Sequence, residues 1–210
     1  HANTPILTPR KIAVLAIFRI GASGACPDAP PTIKRFRACR GQPAMARRGA
    51  PKSFEAFLHA GGWVGESCMS GRIRIVGGSL RNSRLDVPEL PGLRPTPERV
   101  RETLFNWLAP MIEGARVLDL CAGTGALGIE ALSRGAAAAT FVEPDARAVR
   151  ALRDNLARLK AAGSEVAATD ALGFLRGAAR PFDLVFLDPP FAANLWSALA
   201  QGLEQGGWLA

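Results

Sequence analysis

From residue 116 onward the chain repeats one pattern, a short apolar run followed by an amphipathic stretch, and nothing else constrains its fold as tightly. The runs Arg116–Leu120, Ala139–Val142, Glu165–Ala168 and Leu184–Leu187 read as strands. Helices are expected between them, at about 125–134, 145–161 and 171–177, with another after Ala193. Successive strand–helix units predict a doubly wound, Rossmann-like α/β sheet with parallel strands and ligands at the strands' carboxyl ends. A further strand is expected to begin at Trp208.

The first of these strands runs into Asp119-Leu-Cys-Ala-Gly-Thr-Gly-Ala-Leu-Gly128. Gly123, Gly125 and Gly128 form a G-x-G-x-x-G, the fingerprint of a tight strand-to-helix turn or of a dinucleotide site. Asp119 decides between ligands. A pyrophosphate at the helix N-terminus would meet a carboxylate and be repelled. A ligand carrying a sulfonium and an ammonium but no phosphate, S-adenosylmethionine (SAM), suits a carboxylate beside glycine-walled backbone. Glu143 ends the second strand and can accept from two ribose hydroxyls. Asp170 ends the third, where it could accept from an adenine amino group beside the Ala171 amide. Either acid alone reads equally well as a helix cap, Asp170 especially. Three acids at three successive strand ends favour the ligand.

The fourth strand ends in Asp188-Pro189-Pro190-Phe191. Two prolines remove two backbone donors and fix φ, leaving rigid carbonyls exposed. A nucleobase amine is a poor nucleophile because its lone pair is delocalised into the ring. Asp188 and the Pro189 carbonyl can accept both of its N–H groups and aim the lone pair, a gain from orientation and preorganised electrostatics. Phe191 offers a face on which an extruded base can stack.

Residues 1–68 have another texture, rich in Pro, Gly, Ala and Arg and without sustained period. They hold 10 of the 26 Lys/Arg and 3 of the 18 Asp/Glu, so most of the net charge of +8 lies there. Ile12–Ile20 after Arg10-Lys11 resembles a weak signal peptide interrupted by Arg19, too short for a membrane span. The preferred reading is translated upstream sequence or a disordered tail, with a natural start near Met69. Residues 69–101 carry 7 basic and 3 acidic side chains, and on charge alone this basic edge reads equally as suited to an anionic polymer or as the solvation of a loop-rich segment. Arg72–Val76 and Ser79–Leu85 around Gly77-Gly78 predict a β-hairpin. A helix is expected after Pro97, capped by Thr96, with Val100, Leu104, Trp107 and Leu108 on one face. Cys26, Cys39, Cys68 and Cys121, with His1 and His59, show no metal-ligand spacing and no disulfide framework, so no metal is expected and the composition fits a reducing compartment.

Asp119–Gly125 and Asp188–Phe191 resemble motifs I and IV of class I amino-methyltransferases that act on nucleic-acid bases. Arg72–Gly78, Gly92-Leu-Arg-Pro-Thr96, Arg99–Leu108, Ala131–Gly135 and Gly206–Ala210 resemble the RsmD family, whose members methylate the N2 amine of a guanine in 16S ribosomal RNA (the guanine-966 type). The resemblance runs from Met69 to Ala210. It implies a class I SAM-dependent methyltransferase, cytoplasmic and monomeric, with 16S rRNA or the small ribosomal subunit as partner and no membrane. Asp119, Ala122, Gly123, Gly125, Glu143, Asp170 and Ala171 would line the SAM site. Asp188, Pro189, Pro190 and Phe191 would hold the guanine. Arg94 and Thr96 would close over the cofactor or substrate, and Arg72, Arg74, Arg81 and Arg84 would contact RNA phosphates. The implied domains are residues 1–68 as an extension, 69–113 as an RNA-facing hairpin and helix, and 114–210 as the methyltransferase core. Arg81-Asn-Ser-Arg-Leu85 departs from the family's more basic Arg-Gly-Arg-Lys-Leu. The class I sheet has seven strands and this chain reaches only the fifth, so an apolar edge beside the catalytic strand is expected to stand uncovered. DNA or another RNA as the amino-methyl acceptor, adenine N6 included, uses the same tetrad. NAD-linked redox chemistry and a non-catalytic RNA-binding role are competing hypotheses.

Overall fold

The strands Ala138–Val142 and Leu184–Leu187 of the central sheet are mostly apolar and buried because both of their faces are covered, as parallel strands with crossover helices require. The computed structural model describes residues 13–16, 71–90, 93, 96–189 and 195–210. The chain divides into two units, His1–Ala29 with Ser70–Ala210 and Pro30–Met69, and every described residue belongs to the first. In chain order its elements are β1 (Ala13–Ala16), β2 (Arg72–Arg74), β3 (Arg84–Asp86), α1 (Glu98–Ile112), β4 (Arg116–Asp119), α2 (Ala126–Ser133), β5 (Ala138–Val142), α3 (Ala146–Arg158), β6 (Ser164–Ala167), α4 (Ala171–Leu175), β7 (Leu184–Leu187) and α5 (Trp196–Gln205). Five strands form one parallel sheet in the order β1-β7-β4-β5-β6. Chain order reverses between β4 and β7, which places a switch-point crevice at their carboxyl ends.

Alternation along β7 splits the core. Val185 and Leu187, with Leu118 and Leu120, pack against Leu199 and Leu203 of α5 and Trp208. Phe186 turns the other way and meets Phe105 of α1 at 5.7 Å between ring centroids. Trp208 is buried, and its indole lies 5.0 Å from the Phe174 ring. The strand expected at Trp208 begins as a parallel bridge between Leu209 and Phe182.

Three expectations are corrected. The hairpin forms, with Ile73 opposite Leu85, but Gly77-Gly78 is not a tight reversing turn. Residues 75–83 make a longer loop that lies on the last turn of α2: Ser79 N donates to Ser133 O at 2.6 Å and Leu80 N to Ser133 Oγ at 2.9 Å. Gly78 is glycine because φ is 77° and a Cβ there would stand 1.7 Å from Ser133 O. Thr96 does not cap α1. Pro97 occupies the cap position with no side-chain hydrogen bond, and Thr96 turns inward instead. Finally, the edge beside the catalytic strand is not bare. β1 pairs with it in parallel, Ala13 opposite Leu184 through Ala16 opposite Leu187, so part of the aperiodic extension joins the sheet. Among the described residues no helix is long and apolar enough to cross a membrane.

Candidate active site

Strands that stop at one level deliver their next residues to one rim. β4 ends at Asp119, β5 hands on to Glu143, β6 leads to Asp170 and β7 hands on to Asp188. Asp119 and Asp188 are brought together by pairing, since Asp119 stands opposite Phe186 two residues before Asp188. The glycine loop is stitched to the same rim: Leu120 N donates to Phe186 O at 3.1 Å and Ala122 N to Val142 O at 2.9 Å.

Asp119 is fully buried, and its Oδ2 accepts from Gly128 N at 3.0 Å, in the first turn of α2. Burial pushes its carboxyl from the ordinary 3.8 up to about 7; the Gly128 hydrogen bond opposes this, and the charges of Asp188 and Glu143 add to it. Two carboxylates close enough to raise the proton affinity of a third form, with it, a site that a cationic ligand would relieve. Beside them the free Cys121 is held as the neutral thiol, pushed up to about 12 chiefly by burial.

Glu143 is already aimed. Its Oε2 accepts from Gly123 N at 2.8 Å and its Oε1 from Asp145 N at 3.0 Å. Each oxygen keeps a lone pair for a further donor. Asp170 is exposed and caps α4, accepting from Gly173 N at 2.7 Å, as its cap reading predicts; Ala171 beside it is buried. The loop glycines serve packing as well as approach. A Cβ at Gly125, whose φ is 73°, would stand 2.3 Å from Leu152 Cδ1, and one at Gly123 2.9 Å from Leu93 Cδ1. Leu93 therefore lies over the loop.

Asp188 is half-buried, Pro189 is buried, and Thr96 Oγ1 donates to Asp188 Oδ2 at 3.4 Å. Thr96, expected to contact substrate, is 7% exposed and sits against the catalytic acid. Pro190, Phe191 and Arg94 lie outside the described residues, as do His1, Cys26, Cys39, His59 and Cys68. The hairpin arginines divide. Arg74 is ion-paired with Glu98, and Arg72 with Asp86 at 3.1 Å. Arg81 and Arg84 are exposed. Arg84 adjoins α3, where Arg158 Nη2 donates to its carbonyl.

Sequence reasoning missed two buried ions. Arg101 and Glu130 are 1% and 0% exposed and lie 3.3 Å apart. Burial lowers the Arg101 guanidinium's proton affinity while Glu130 opposes the change. Glu130 also accepts from Val76 N and Gly77 N, both at 2.8 Å, and from Arg134 Nε at 2.8 Å. Arg101 shares the face of α1 that buries Leu104, Phe105, Leu108 and Ile112, so a charge at core spacing was the available signal.

Residues 73–210 match the family model described as "Conserved hypothetical protein 95". The chain is 53% identical over 141 residues to the ribosomal RNA small subunit methyltransferase D of Escherichia coli strain K12, covering 67% of this chain and 71% of that protein. The Haemophilus influenzae protein of the same name is 45% identical over 143 residues, covering 66% of this chain and 74% of its own. Among solved structures, that of the Escherichia coli protein yhhF aligns with a TM-score of 0.62 at 48% identity, over 67% of this chain and 76% of the other. A family match over residues 73–210, together with such overall identity, means that the chain belongs to the family described as conserved hypothetical protein 95, the RsmD family that its motifs resemble.

Proposed function

We propose that this protein transfers a methyl group from SAM to the exocyclic N2 amine of a guanine in 16S ribosomal RNA. The observation that carries the reading is the adjacency of β4 and β7, which sets the acid of the glycine loop and the acid of the Asp-Pro-Pro-Phe motif side by side at one crevice. The names of the relatives support ribosomal RNA of the small subunit as substrate.

The residues present fit SAM. An acidic rim with no phosphate-binding cation among its described side chains suits a ligand that is cationic at sulfur and nitrogen. Asp119 would balance that charge, Glu143 would accept from the ribose hydroxyls with an orientation fixed in advance, and Asp170 and Ala171 would meet the adenine. Ala122, Gly123 and Gly125 would form the floor. When bound, SAM supplies an electrophilic methyl group.

The chain's own residues prepare the acceptor. The Asp188 carboxylate and the Pro189 carbonyl take the two N–H bonds of the guanine amine and turn its lone pair out of conjugation, and the carboxylate is placed to receive the proton the nitrogen sheds. A hydrogen-bonded acceptor of this kind acts in the transition state, where the charge develops, and so raises kcat. Pro190 and Phe191 belong to the same motif, with Phe191 as the stacking face for the base. Arg81 and Arg84, which make no ion pair among the described residues, are the hairpin residues best suited to RNA phosphates, with Arg94 assigned by the family motif. Residues 69–113 then serve as the RNA-facing module and 114–210 as the core, working as a monomer in the cytoplasm, where ribosomal RNA is assembled.

The test is transfer of labelled methyl to small-subunit ribosomal RNA, free and in assembled subunits. Label on a guanine N2 bears the proposal out, and the comparison identifies the recognised form. SAM binding with label only on DNA or another RNA would replace the substrate while keeping the cofactor.

A further inference from the structure

Buried charge is costly unless every bond is satisfied, and the Arg101 guanidinium uses all three of its nitrogens on three different parts of the chain. Nη1 meets Glu130 of α2 at 3.3 Å, Nη2 donates to Arg74 O of β2 at 2.8 Å, and Nε donates to Thr96 O at 3.1 Å. Glu130 on the other side of the pair holds the amides of Val76 and Gly77. One ion pair therefore fastens the hairpin, the helix that follows the glycine loop, and the turn carrying Thr96. That turn presents Thr96 Oγ1 to Asp188 Oδ2. A Thr hydroxyl that donates to one carboxylate oxygen fixes the rotation of the carboxylate, and with it the direction in which Oδ1 points. We propose that Thr96 is a positioning residue for Asp188, and that Arg101, held by Glu130, sets Thr96 through its carbonyl, so that the hairpin and the catalytic acid share one buried clamp.

This rests on the reading that Asp188 accepts from the target amine, and the experiments separate the two. In the full chain, Thr96→Val removes the hydroxyl and keeps the shape, whereas Thr96→Ser keeps the hydroxyl. The expected result is a fall in kcat of about 10- to 100-fold for Thr96→Val, taking as guide the range for outer-shell partners that orient metal ligands. SAM affinity, KM for RNA and melting temperature should stay close to wild type, and Thr96→Ser should restore kcat. Arg101→Lys keeps the charge against Glu130 but loses the planar fork, so it should lower kcat similarly. The double variant Arg101→Lys with Thr96→Val should fall no further than the worse single one, because both act on one contact.

The 13C resonance of the Asp188 carboxyl supplies a readout independent of turnover: it should move with Thr96→Val and Arg101→Lys and stay with Thr96→Ser. If that resonance responds while no RNA is methylated by wild type, the clamp stands and the substrate assignment fails. An unmoved resonance, a rise in KM for RNA at constant kcat, or multiplicative losses in the double variant overturns the clamp.

Discussion

Asp119 ties stability to pH in a direction opposite to the usual acidic residue, and replacing it with asparagine isolates the effect. Its carboxyl is raised from 3.8 to about 7, chiefly by burial. Below about 3.8 the group is protonated both folded and unfolded, and the fold has its full stability from this site. Between 3.8 and 7 the unfolded chain has released the proton while the folded chain keeps it, so stability falls as pH rises. Above 7 both forms are ionised and the loss is complete. Roughly three pK units at 1.36 kcal/mol each give a loss on the order of 4 kcal/mol. Asn mimics the neutral carboxyl in shape, so Asp119→Asn should be close to wild type near pH 4.5 and more stable by a few kcal/mol at pH 8. Urea unfolding of both proteins at half-unit steps between pH 4.5 and 8 gives the difference curve, in which other titrating groups cancel. The ligand works the other way. A cationic cofactor favours the ionised carboxyl, so SAM affinity should rise by up to tenfold per pH unit toward pH 7 in wild type and stay flat in Asp119→Asn. Parallel unfolding curves for the two proteins across that range would refute the reasoning, because they would mean that Asp119 is ionised in the fold at every pH.

Asp188→Ala should reduce transfer by at least 100-fold while leaving SAM affinity within a few-fold, measured by labelled-methyl incorporation and by calorimetry; equal loss of both would make the residue structural. Glu143→Ala should weaken SAM binding by about tenfold, roughly one good hydrogen bond to a charged group together with the aim of Gly123, as titration would show. Gly78→Ala forces a side chain into positive φ and onto Ser133 O, so it should cost at least 1–2 kcal/mol and undock the hairpin, seen as lower urea midpoint and faster amide exchange at Ser79 and Leu80. Arg81→Ala with Arg84→Ala should lower RNA affinity and flatten its dependence on log salt by about two units of slope at most, with SAM affinity unchanged; an unaltered slope would place RNA elsewhere.

Much of this molecule is legible without its structure, because the signals are local. Strand and helix periodicity locates β4 to β7 within one residue and the crossover helices within three, and the glycine loop and Asp188-Pro189 stand where strands have to end. Asp170 reads in sequence both as a cap and as a ligand residue, and the structure shows it capping. Thr96 is misplaced by sequence for a physical reason: a Thr before Pro at a helix start has the composition of a cap, and only the approach of β7 shows that its hydroxyl has another partner 92 positions away. Gly77-Gly78 likewise has the composition of a turn, and only the packing of the loop on α2 shows why a side chain is excluded. Arg72 and Arg74 count as free cations in sequence, yet both are paired with acids brought near by folding.

Sequence by itself thus determined the order of elements from the hairpin onward, the parallel sheet and the identity of the acids at its rim, since each depends on residues within one turn or one strand. Tertiary structure decided which of those acids become neighbours, what state Asp119 holds, that β1 covers the edge of β7, and that Arg101 and Glu130 bind hairpin, helix and catalytic turn together. These depend on burial and on backbone groups meeting across long separations, and a carboxylate, an arginine or an edge carbonyl carries no mark in its own sequence neighbourhood of what will close over it.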